Sequence, residues 1–216
     1  MAQVFDRGVV LALKVAALIV LVGIVTVSLA WRWSTGYPYA LRAPPPQPIP
    51  FSHQHHVRDD GIDCRYCHTS VEKAAFAGIP SSDICMSCHS QLFSDAPLLE
   101  PLRRSARTGE RLQWTRVNDL PDFVFFNHSA HVRHGVPCKE CHGRIDQMPL
   151  TVRVASLDMQ WCLDCHRDPA SHLVKPEEVF NMQARPPRSQ SERRALLAHY
   201  AILGPPWITD CSLCHR

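Results

Sequence analysis

Apolar residues fall into two regimes along the chain. Between Val9 and Trp31 they form a run of 23 residues interrupted by one charge, Lys14. As an α-helix the run spans about 35 Å, against roughly 30 Å of bilayer hydrocarbon, which predicts a transmembrane anchor over 9–31. Lys14, near its start, can snorkel to the headgroups, and Trp31 and Trp33 suit the opposite interface. A cleaved signal sequence ending at Ser28-Leu29-Ala30 is the competing reading. The run is longer than a usual signal core, so an uncleaved anchor is expected. Flanking charge does not orient the helix, because Arg7 and Lys14 are matched by Arg32 and Arg42.

Past the anchor the chain is polar and rich in Pro and Arg, poor material for a conventional core. It opens with "APPPQPIP", residues 43–50, whose five prolines predict an extended, semi-rigid spacer of about 25 Å. Short helices and long irregular connections are expected beyond it. One helix start is explicit: Ser189-Gln-Ser-Glu192 has the form of a capping box, and Gly204-Pro205-Pro206 is read as the stop.

The polar region contains an internal repeat. "FSHQHHVRDDGIDCRYCH…CMSCH" runs from Phe51 to His89, and "FNHSAHVRHGVPCKECH…CLDCH" from Phe126 to His166. Each copy opens Phe-x-His-x-x-His, continues Val-Arg, and carries two Cys-x-x-Cys-His motifs. The organisation is therefore a module over 51–89, a connector over 90–125, a second module over 126–166, and a C-terminal extension over 167–216 bearing a fifth motif.

Those five motifs absorb all ten cysteines: Cys64/Cys67, Cys85/Cys88, Cys138/Cys141, Cys162/Cys165 and Cys211/Cys214, followed by His68, His89, His142, His166 and His215. A zinc ribbon has no use for a histidine fixed after its second cysteine, and a dithiol redox motif occurs once rather than five times. With 13 His in 216 residues, five such histidines by accident have odds on the order of one in a million. The pattern is that of c-type haem attachment: two thiols add across the vinyl groups and the adjacent imidazole becomes the proximal iron ligand. Five covalently bound haems c are expected. No cysteine is left for a disulfide or an iron–sulfur cluster.

Composition then changes meaning. Only 45% of residues are hydrophobic, many of them in the anchor, and 18 are Pro. Five porphyrins supply the missing apolar mass, so the expected fold is a multihaem cytochrome c: irregular coil and short α-helices wrapped around haem, plus one transmembrane helix. The formal charge of +3 points to no nucleic-acid partner, since ten propionates would reverse it. Arg103, Arg104, Arg107, Arg111 and Arg116 are candidates to pair with propionates, or form a solvated basic loop. Haem c is attached outside the cytoplasmic membrane, which puts the haem domain on the periplasmic side of a bacterial inner membrane and residues 1–8 in the cytoplasm.

The repeated His53, His56, His128 and His131 are candidate distal ligands. Two histidines three apart cannot bind opposite faces of one iron, but each can serve a different haem, and four histidines match the four repeat haems. His55 and His134 have no counterpart in the other copy. The fifth iron is left without a repeat histidine. Met182, in "VFNMQ", is the first choice, with Met148 and Met159 as rivals and His172 and His199 as further candidates. A His/Met haem has a raised potential, which suits an exit for electrons.

Phe-x-His-x-x-His ahead of paired haem motifs resembles the class III multihaem cytochromes. More specifically, "PDFVFFNHSAHVRHGVPCKECHGRIDQM", "MQWCLDCHRDP" and "DCSLCHR" resemble the pentahaem subunit of bacterial alternative complex III. That resemblance covers nearly the whole chain. It implies a complex oxidising quinol and passing electrons to a soluble cytochrome c or copper protein. The partners it implies are an iron–sulfur/molybdopterin-like subunit, polytopic quinol-binding subunits and a monohaem cytochrome. The chain is then an electron-transfer subunit, not an enzyme on its own. Two other classes compete: a stand-alone quinol dehydrogenase of the small tetrahaem type, and a multihaem reductase with one open iron. The reductase resembles a pattern with lysine at the catalytic haem, whereas all five motifs here end in histidine. The proline spacer, lifting the first haems from the bilayer, speaks against the quinol dehydrogenase.

Overall fold

The computed structural model describes residues 6–35 and 43–215, without the side chains of 33–35. Expectations for residues 1–5, the Trp33 side chain and Arg42 lie outside the described residues. Two compact units result, Met1–Ala40 and Leu41–Arg216. The first is helix α1, Arg7–Thr35, in which Arg7–Arg32 is long and apolar enough to cross a membrane. Its leucines, isoleucines and valines other than Val10 are exposed, as a lipid-facing surface would be. The Thr26 hydroxyl donates back to the Val22 carbonyl at 2.9 Å, which satisfies that donor within the helix.

The second unit is built from short helices: α2 (Cys64–Cys67), α3 (Ser82–His89), α4 (Glu100–Thr108), α5 (His128–Arg133), α6 (Cys138–His142), α7 (Met159–Arg167), α8 (Gln190–His199), α9 (Pro205–Ile208) and α10 (Cys211–Cys214). A π-helical turn covers Gln54–Asp59. Among the described residues there is no strand, only an antiparallel bridge between Val124 and His215. Each motif forms a helical turn, and the two cysteines, three apart, therefore share one face. Local capping starts several of these turns. Asp63 accepts from Arg65 N, Asp158 from Trp161 N and Asp210 from Ser212 N, each satisfying an otherwise orphaned donor.

Protein-only core is scarce. Val174, Val179 and Ala184 form a small buried cluster, flanked by Val132 and Phe180. Around it the C-terminal extension is stitched to the second module. Val174 N donates to Gly135 O at 2.9 Å, and the Tyr200 hydroxyl donates to Val174 O at 2.8 Å. Gly135 has φ +78°, and a Cβ there would overlap the Tyr200 ring, so backbone and packing both require glycine.

One expectation changes and two gain detail. The capping box is present in full: Ser189 accepts from Glu192 N, and the Glu192 side chain accepts from Ser189 N. Helix α8, however, stops at His199 rather than at Gly204-Pro-Pro. The buried Tyr200 ring is drawn to Val174, Ala201 turns into the left-handed region (φ +49°), and Pro205 opens α9 from the N1 position instead. The proline-rich stretch is not free along its length. Gln47 both accepts from Thr115 N (2.9 Å) and donates to Thr115 O (2.8 Å), the Thr115 hydroxyl donates to Pro46 O, and Ile49 is buried. Finally, of the five arginines read as propionate partners or as a solvated basic loop, three hold protein carboxylates. Arg103 and Arg107 both pair with Glu100 at 3.0 Å, and Arg116 pairs with Asp119 at 3.5 Å.

Candidate haem-binding sites

The repeat histidines are set up by their own backbone. In each module the second histidine donates its Nδ1–H to the carbonyl four residues back: His56 to Ser52 O at 2.9 Å and His131 to Asn127 O at 2.8 Å. His128 donates to Ala75 O at 2.9 Å, and His53 Nδ1 lies 2.9 Å from the Thr151 hydroxyl. The repeat's leading phenylalanine wedges between each pair. Phe51 stacks on His56 at 4.5 Å and meets His53 edge-on at 4.9 Å; Phe126 lies tilted against His131 at 4.6 Å and meets His128 edge-on at 4.7 Å. The signal for this role was the phenylalanine's place in the repeat.

The motif histidines are tethered likewise. His68 donates to Gly78 O (2.7 Å), His89 to Leu92 O (3.1 Å), His166 to Ile208 O (2.5 Å) and His215 to Phe123 O (3.4 Å). His142 alone uses a side chain, Asn118, at 3.0 Å. In the four carbonyl-tethered rings, donation from Nδ1 fixes the tautomer and leaves Nε2 as the electron-pair donor, the usual device around metal-binding imidazoles.

Three repeat histidines face three motif histidines. Ring centroids are 6.1 Å apart for His56 and His89, 6.5 Å for His128 and His142, and 6.1 Å for His131 and His166. Two imidazoles bound trans to one metal, each with a nitrogen about 2.0–2.1 Å from it, have centroids roughly 6–6.5 Å apart. Burial pushes His53 and His142 down to about 4, with His68 and His142 adding to the shift at His53 and His128 and His68 adding at His142. His128 and His131 are lowered mainly by burial too. The neutral imidazole that results is the ligating form.

None of the ten cysteines is paired in a disulfide. Burial pushes the Cys138 and Cys141 thiols up to about 12 and Cys165 up to about 11. Among the described residues no three His, Cys, Asp or Glu side chains surround a common metal position. Exposed apolar side chains stand at the motifs themselves, Tyr66 within the first and Leu213 within the fifth. Paired cysteines, facing tethered imidazoles and flanking apolar surface together fit haem c.

The candidates for the fifth iron are scattered. Met182 is 6% exposed and belongs to the segment packed on the third motif, where Cys138 N donates to Val179 O at 3.2 Å and Lys139 reaches the Ala184 carbonyl. Met148 lies beside the first module, its carbonyl accepting from Gln54 N. Met159 starts α7, one turn before Cys162, and is 66% exposed. His172 pairs with Glu140 at 2.5 Å, and His199 packs edge-on against Tyr200. His55 lies 3.5 Å from Asp60, and His134 donates to Ala130 O.

No protein-family model matches the chain. It is similar to a curated protein of Nitratidesulfovibrio vulgaris (strain Hildenborough) described as "Menaquinone reductase, multiheme cytochrome c subunit". The two are 38% identical over 161 residues, which is 74% of this chain and 69% of that one.

Proposed function

The chain belongs to the family of multihaem cytochrome c subunits represented by that relative, and from this premise we propose that it is a five-haem electron relay serving a quinone-linked membrane complex. The supporting observation is the set of three facing histidine pairs, because an iron held by two imidazoles exchanges electrons without offering a substrate position. Haem c supplies reversible one-electron exchange at iron. The polypeptide would anchor each group through a cysteine pair, fix the imidazole orientation through the Nδ1 tethers, and favour the neutral ring by burial at His53, His128, His131 and His142.

In this reading His68, His89, His142, His166 and His215 are the proximal ligands. His56, His128 and His131 are the distal partners of His89, His142 and His166, and His53 takes the remaining repeat iron with His68. For the fifth iron a methionine is proposed. The packing of α7 against α9 supports Met159 over Met182, because α9 leads directly into the fifth motif. Helix α1 is the membrane anchor, with the haem unit on the periplasmic side.

Two directions of flow are open to such a relay. As the alternative complex III resemblance implies, a quinol gives up two electrons and two protons, and the electrons leave singly to a soluble cytochrome c or copper protein. The polytopic quinol-binding, iron–sulfur and monohaem partners belong to that reading. The relative's own description, menaquinone reductase, favours the reverse, with a soluble one-electron donor feeding menaquinone. Washed membranes decide between them. Quinol-driven reduction of the haem c absorption bands, followed by reduction of added cytochrome c, supports the outward direction. Bands reduced by the soluble donor and reoxidised by a menaquinone analogue support the inward one. Haem bands that respond to neither couple contradict the relay.

A further inference from the structure

The motifs are not arranged in space as they are in sequence. Tyr66 and Ser87, the second variable residues of the first and second motifs, share a hydrogen bond of 2.9 Å. These two motifs are neighbours.

The first motif's other neighbour is the third. The Arg65 guanidinium sits 4.6 Å over the Phe180 ring, and the adjacent Val179 carbonyl accepts from Cys138 N. One two-residue step of the C-terminal extension thus touches both motifs. Helix α5 bridges onward from third to fourth: His128 and His131, one turn apart, face His142 and His166 respectively. Glu140 of the third motif also holds His172, just beyond α7, at 2.5 Å. The fourth meets the fifth where the His166 ring donates to Ile208 O, three residues before Cys211, and α7 packs against α9.

Exposure follows the same sequence of neighbours. Of the ten cysteines only Cys88, in the second motif, and Cys211, in the fifth, are exposed. In the first, third and fourth motifs both cysteines are half-buried.

We propose that the five haem sites stand in single file in the order second, first, third, fourth, fifth, so that electrons enter and leave the chain through the second and fifth sites. The order deepens the relay reading and rests on the motifs being haem attachments. The two redox partners, a quinone couple and a soluble one-electron carrier, then meet opposite ends of the file. The first motif becomes an interior link although it stands nearest the anchor in sequence.

Anomalous scattering at the iron edge from the matured, full-length protein tests the order directly. Nearest-neighbour irons are expected to run 2–1–3–4–5, with the second iron having one neighbour. A second iron adjacent to the third, as sequence order requires, overturns the proposal. Fewer than five irons per chain overturns the haem reading itself and the order with it. A solution measurement gives an independent check. His53→Met changes the ligand field at the first iron, and redox titration should then show shifts at two neighbouring haems, the second and third. A shift confined to the second contradicts the file.

Discussion

His128 and His142 face each other with ring planes 8° apart and centroids 6.5 Å apart. One belongs to the repeat's opening turn and the other to a haem motif 14 residues on, so the fold brings a distal and a proximal candidate together across a short turn. The same relationship recurs for His56 with His89 and His131 with His166. Replacing His53, His56, His128 or His131 with Ala should leave all covalent attachment intact, since the cysteines are untouched. Each variant should convert one haem to high spin or to a replacement ligand, read by electron paramagnetic resonance. Four variants with the parent low-spin spectrum would refute the pairing.

Asn118 supplies the only side-chain tether among the five motif histidines. Its Oδ1 is buried without a partner while its Nδ2 lies at His142 Nδ1. Exchanging the two amide atoms brings the orphaned Oδ1 to His142 as an acceptor for its Nδ1–H. An anionic acceptor strengthens the imidazole as a ligand. Asn118→Asp should therefore lower the potential of one haem, and Asn118→Leu should raise it, both with five haems retained. Unchanged potentials in both variants would show that the contact is structural only.

The fifth iron offers a contest between named residues. Met159→Leu should abolish the weak far-red Met–iron absorption and lower one haem potential, as loss of a His/Met pair must. Met182→Leu should leave that band in place and cost a small amount of stability, about 1 kcal/mol for a volume-conserving core change. The opposite outcome would return the ligand role to Met182.

The haem motifs were legible because covalent chemistry fixes residue identity and spacing together. The repeat was legible for the same reason, and it marked out His53, His56, His128 and His131. The pairing was not, because the partners meet through tertiary contacts such as Ala75 with His128 and Ile208 with His166. Nothing in a local window encodes a backbone carbonyl's position. The spacer reading stopped at proline's stiffness, while the outcome depends on Gln47 satisfying both backbone groups of Thr115, 68 residues away. Likewise the stop after α8 was read from Gly204-Pro-Pro, but a buried Tyr200 acts first.

Asp146 carries a pH dependence. It is buried and accepts two hydrogen bonds from Arg144, at 2.8 and 2.7 Å, and these bonds hold its carboxyl below the ordinary range. A carboxyl lowered in the folded state binds fewer protons there than in the unfolded chain. Its contribution is therefore full above the unfolded value of about 4 and is lost as pH falls through the lower folded value. The turn at Ile145–Gln147 packs against the Gln54–Asp59 turn that carries His56. Asp146→Asn should cost about 1.5–3 kcal/mol at neutral pH, and its thermal midpoint should depend less on pH below 5 than the parent's. Equal acid sensitivity in both proteins would assign that sensitivity elsewhere.

The most direct test of the relay is stopped-flow haem reduction by a menaquinol analogue, with and without the partner subunits. One membrane helix offers no enclosed pocket of the kind a ligand site needs, and an iron held by two protein ligands offers no open position. The isolated, monodisperse chain should be reduced by dithionite yet remain nearly inert to the quinol, and adding the partners should restore electron exchange with the quinone couple. Fast, saturable reduction of the lone chain would contradict the account and identify it as a quinol dehydrogenase in its own right.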